Sequence, residues 1–173
     1  NARLNSYDVT VVTYKNLYDP KEHWIAEARY TLIDTLTQQK TDLGRMDGSP
    51  FAYTLDQSGR WQIEAWLQDE AGNTATVTSD HFLIDNIAPE VQFNPSGDET
   101  WKRQPIVIST EILDKHSGVK RWRWAVSVDG GMHFGRYGEW QETPSVSLTL
   151  NQNGLNVIKV EAEDQAGNRS VTI

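Results

Sequence analysis

Apolar and polar residues alternate along much of this chain, and the alternation predicts strands. From Trp24 onward, Trp24, Ala26, Ala28, Tyr30 and Leu32 fall on one face, with Glu27, Arg29 and Thr31 on the other. A period of two is that of a half-buried strand. Phe51, Tyr53 and Leu55 alternate in the same way, and Trp61, Ile63, Ala65 and Leu67 oppose Gln62, Glu64, Trp66 and Gln68. Later, Ile106, Ile108, Thr110 and Ile112 share a face. Trp122, Trp124, Val126 and Val128 then oppose Arg121, Arg123, Ala125 and Ser127. Val146, Leu148 and Leu150 form one more inward set, and Ile158, Val160 and Ala162 another. The β-branched run from Val9 to Tyr14 reads as a strand, and the polar stretch from Thr37 to Gly48 as a loop. Helical periodicity of useful length is absent.

The pattern occurs twice. Asp69-Glu70-Ala71-Gly72-Asn73 returns 95 residues later as Asp164-Gln165-Ala166-Gly167-Asn168. From Ala52/Ser147 to Thr78/Ile173 this offset runs without a gap, and nine of 27 positions are identical, Gly59/Gly154 and Ile63/Ile158 among them. A period near a hundred residues means two copies of one domain. We expect domains at 1–86 and 87–173, joined through Asp85-Asn86-Ile87-Ala88-Pro89. The offset also predicts that the first domain lacks most of its opening strand and the second its closing one. Short strands with regularly spaced turns give the fold class: all-β, two tandem antiparallel β-sandwiches of immunoglobulin-like type.

Charge and composition narrow the partners. A net charge of −8 disfavours nucleic acid, whose phosphates it repels. No apolar run approaches the ~18–20 residues that cross a bilayer, so membrane insertion is not expected. With no cysteine, disulfide and thiolate chemistry are excluded. His23, His81, His116 and His133 are scattered, without the spacing of a metalloprotease helix or a nucleophile elbow. The sequence therefore does not read as an enzyme.

The Asp-x-Ala-Gly-Asn turns, Gly59/Gly154, Asp114 to Gly118 before a Trp-bearing strand, and Ile84-Asp85 to Pro89 resemble tandem bacterial immunoglobulin-like domains of large surface proteins and adhesins. That resemblance implies an extracellular, secreted or cell-surface spacer or ligand-presenting module. Its implied partners are neighbouring repeats of the same chain and a host or surface protein or glycan. An accessory glycan-binding module attached to a larger enzyme is the alternative.

Three groups of residues invite a site. Asp69, Asn73, Asp85, Asn86 and Glu90 carry oxygens near the junction, and calcium takes six to eight oxygen ligands; the same side chains also suit turn capping. Trp101, Trp140 and Tyr137 lie near loops of the second domain and form a candidate aromatic patch for a sugar ring, or for packing against a neighbouring domain. Ser127-x-Asp129-x-Gly131-x-x-Phe134 fits the Asp-box pattern. It resembles the hairpin turns of sialidase propellers, which implies a hairpin with Asp129 on the turn amides and Phe134 packed beneath. Acidic residues at outward strand positions are expected to be solvated.

Overall fold

A computed structural model describes residues 7–11, 25–46, 51–98, 100–103 and 105–173. All its regular elements are strands: β1 (Tyr7–Val11), β2 (Ile25–Asp34), β3 (Lys40–Met46), β4 (Phe51–Leu55), β5 (Gly59–Asp69), β6 (Thr74–Thr78) and β7 (Phe82–Ile84), then β8 (Glu90–Asn94), β9 (Ile106–Leu113), β10 (Val119–Ser127), β11 (Ser145–Leu150), β12 (Val157–Asp164) and β13 (Arg169–Thr172). The chain divides into two compact units, one spanning Leu4–Asp85 and one holding Asn86–Ile173. Trp24 and residues 12–14 lie outside the described residues.

In the first unit the sheet order is β3-β2-β5-β6, with β7 also on β5, and β1 pairs β4 separately. Ala28, Tyr30, Leu32, Trp61, Ile63 and Ala65 of the large sheet bury themselves with Leu55 of β4 and Ile84. A core drawn from both sheets makes this a β-sandwich. The second unit sets β10-β12-β13 against β11-β9-β8. Val91, Ile108, Ile112 and Leu148 from one sheet meet Trp122, Ile158, Val160 and Ala162 from the other. Both cores follow the period-two faces of the sequence except at the end of β10, where Ala125 and Ser127, expected to face outward, are buried and Val128, expected inward, is exposed. The fold is all-β, two tandem immunoglobulin-like antiparallel sandwiches.

Two further expectations need correction. The polar stretch from Thr37 is not a loop throughout, because Lys40–Met46 forms β3, antiparallel to β2. Its backbone is satisfied by the ladder, while its side chains are mostly exposed, so an edge strand needs no apolar alternation there. Ala26 does not share the inward face: the register shifts between Ile25 and Glu27. That bulge leaves Ala26 exposed and packs Ile25 against the core.

Candidate functional site

The densest side-chain chemistry lies on the outer face of the β10-β12-β13 sheet. Antiparallel register pairs Ala125 with Lys159, Arg123 with Glu161 and Arg121 with Glu163. Glu163 in turn faces Arg169 of β13. Since Trp122 and Trp124 turn inward, these residues all share the opposite face.

An irregular segment covers that face from one side. Gly135, Gly138 and Gln141 donate backbone N–H bonds to the carbonyls of Val126, Trp124 and Trp122 at 3.0, 2.8 and 2.7 Å. Trp122 donates back to the Gln141 carbonyl at 2.8 Å, so residues 135–141 run antiparallel along the β10 edge. From this segment Phe134, Tyr137 and Trp140 reach over the sheet. Lys159 Nζ sits 4.3 Å from the Phe134 ring centre and 5.1 Å from that of Tyr137. The Arg123 guanidinium lies 4.4 Å over Tyr137 and 4.3 Å over Trp140. Arg121 completes the row, 4.4 Å over Trp140. Two cations over one ring, from residues about 7 Å apart on a strand, leave Trp140 between them. Rings and cations thus alternate as a ladder of six side chains, each contact contributing roughly 0.5–1 kcal/mol at partly exposed sites.

Carboxylates anchor the row from beneath. Arg123 meets Glu161 at 2.6 Å. Glu163 receives Lys120 at 2.6 Å and both Arg121 and Arg169 at 2.9 Å. It is only 3% exposed, contrary to the expectation of a solvated outward acid. The period of two places it outward, but the neighbouring strands' cations bury it. The Lys120 hydrogen bond, more than any other interaction, holds its carboxyl down at about 2; burial opposes this, and Arg121 adds to it.

Where β10 ends, the Ser127–Phe134 motif makes the turn into this segment. Ser127 Oγ donates to Asp129 Oδ1 at 2.6 Å and accepts from the Gly131 N–H at 2.9 Å. The His133 N–H donates to the same Asp129 oxygen at 3.0 Å. Gly130 and Gly131 take φ of 76° and 90°, which glycine adopts without strain. A Cβ on Gly131 would lie 3.8 Å from the Phe134 ring, so the ring sits against the turn. The Ser127 hydroxyl, then the His133 N–H, hold the Asp129 carboxyl well below the usual range.

Asp69 and Asn73 clasp each other across the β5–β6 turn, with Asn73 N and Nδ2 each 2.8 Å from an Asp69 oxygen. Asp85 is fully buried. Asn86 is exposed, and Glu90 is exposed and accepts from Gln92 Nε2 at 3.1 Å. Within the second unit, carboxylate oxygens of Asp114 and Asp164 lie within 4.8 Å of one another. Gln165, next to Asp164, donates its N–H to Gly118 at the end of the Asp114 turn, at 2.9 Å. This contact draws the two turns together. Like charges this close favour a counter-cation, and oxygen donors suit calcium. The repeat hid the pair, because Asp114 belongs to a turn far from Asp164 in sequence.

Among the aromatic residues, Tyr137 and Trp140 share Arg123, and their ring faces meet cations. Trp101 belongs to the loop between β8 and β9 and is 90% exposed. Arg121, Arg123 and Lys159 are the residues that sequence reasoning passed over. Their period-two outward phase was visible, but their register against β12 was not.

No protein-family model matches the chain, and no curated protein matches it in sequence. Among solved structures it is similar to the fibronectin(III)-like modules of Clostridium thermocellum CbhA, with 12% identity over 98% of this chain and 85% of that one and a TM-score of 0.36.

Proposed function

We propose that this chain is a non-catalytic structural module, a tandem spacer or ligand-presenting repeat of a secreted or cell-surface bacterial protein. One observation carries the reading: each unit closes its own core and makes its β5–β6 or β12–β13 turn with the same Asp–Asn clasp. Modules that each bury their own core add length without new folding problems. Neighbouring repeats of the same chain are the first partners of such a module, and a host or surface protein or glycan the outer ones. Calcium would bind at Asp114 and Asp164, where it would offset their mutual repulsion and stiffen one pole of the second sandwich.

An accessory glycan-binding role is the second reading. It is favoured by Trp101, whose ring is free to stack on a sugar face.

Force-extension measurement of the chain held at its two ends tests the spacer reading. Two separate unfolding events are expected, each releasing roughly 300 Å for about 85 residues. A single low-force event would contradict it.

A further inference from the structure

We propose that the outer face of the β10-β12-β13 sheet binds an acidic polysaccharide, with the carboxylates of a linear polyuronate docking along its row of cations. The proposal rests on the charge distribution of the ladder and is independent of the spacer reading.

Residues 86–173 hold nine lysines and arginines and eleven aspartates and glutamates. Five of those cations (Lys120, Arg121, Arg123, Lys159 and Arg169) gather on this face with two carboxylates, Glu161 and Glu163. What remains of the unit has four cations against nine acids. A net-positive face on an acidic module is a directed feature, because random mixing would leave it near neutral.

The cations are also held in place. Ring faces of Trp140, Tyr137 and Phe134 hold Arg121, Arg123 and Lys159, and Glu161 and Glu163 hold the guanidiniums by hydrogen bonds. Arginine has five donors, so each fork keeps N–H groups that these bonds do not use. Among the described residues Lys159 meets rings and no carboxylate. Preorganisation of this kind lowers the entropy lost on binding.

Geometry and charge select the partner class. Arg121 and Arg123 are two residues apart on one strand, about 7 Å, and the other cations extend the row across the sheet. A straight row suits a straight polymer with one charge per monomer. The whole chain's net charge of −8 opposes a nucleic-acid duplex, with one charge per about 1.7 Å, more than a single polyuronate strand with one carboxylate per sugar.

Titration calorimetry of the full chain with polygalacturonate, its fully methyl-esterified form and double-stranded DNA tests this. Polygalacturonate should bind, more weakly as salt rises, while the neutral ester should not and the DNA should bind several-fold less well. Lys159→Gln should weaken polygalacturonate binding several-fold with the far-UV spectrum unchanged. If that variant unfolds, Lys120→Gln at the rim should show the same loss. Absence of polygalacturonate binding, equal binding of the ester, equal binding of DNA, or wild-type affinity in the folded variants would each overturn the proposal.

Discussion

Asn168 bonds both oxygens of Asp164, its backbone N–H and its side-chain amide each 2.8 Å away. The pair Asn73 and Asp69 repeats this geometry at the same distances. Asp164 is fully buried, whereas Asp69 is half-exposed. Each clasp lets glycine, at Gly72 or Gly167, take positive φ inside the turn. Replacing each aspartate by alanine removes the same hydrogen bonds, but only Asp164→Ala strands its partners beside a dry core. We expect about 1 kcal/mol of lost stability for Asp69→Ala and about 2–3 kcal/mol for Asp164→Ala, read from urea unfolding midpoints.

Glu163 should govern part of the acid sensitivity. Its folded-state value, about 2, is depressed from 4.5, so its contribution is complete above pH 4.5. That contribution is lost as pH falls from 4.5 toward 2, where the folded protein must also take up the proton. Glu163→Gln should destabilise the protein by about 1–3 kcal/mol at pH 7. Urea midpoints of the variant should also fall less steeply than wild type between pH 4.5 and 2. Parallel pH curves for the two proteins would refute this role.

The ladder makes a spectroscopic prediction. Trp140→Ala removes the ring shared by Arg121 and Arg123 and should cost about 1–2 kcal/mol. The near-UV circular dichroism of the remaining aromatic residues should change, while the far-UV signal of the strands stays.

Gly154 has no substitute. At φ of 122°, an added Cβ would fall 2.2 Å from the Val128 carbonyl oxygen. Gly154→Ala should cost about 2–4 kcal/mol through forced backbone movement. At Gly72 an added Cβ meets nothing within 4 Å, and only the φ of 86° resists it. Gly72→Ala should therefore cost about 1 kcal/mol, measured in the same unfolding assay.

Fold was legible here because most inward residues, such as Ala28 to Leu32, Trp61 to Ala65 and Ile158 to Ala162, keep period-two phase, whereas at the end of β10 Ala125 and Ser127 are buried and Val128 is exposed. β3 escaped because an edge strand satisfies its backbone without burying side chains. Ala26 misled for a related reason: a bulge shifts phase without leaving a mark in composition. Site residues were harder, since Tyr137 and Trp140 look like free rings until the register of β10 against β12 brings cations to them. Asp114 and Asp164 likewise meet through folding, and no local spacing announces the pair.

Residue-resolved hydrogen exchange on wild type and Val160→Ala tests the central claim most directly. Val160 is fully buried in the second core, and its truncation should cost about 1–3 kcal/mol. Two self-contained sandwiches predict that protection falls by that amount across strands β8 to β13 and stays at wild-type level across β2 to β7. An equal fall in both sets would show a single cooperative unit and contradict the account of independent tandem modules.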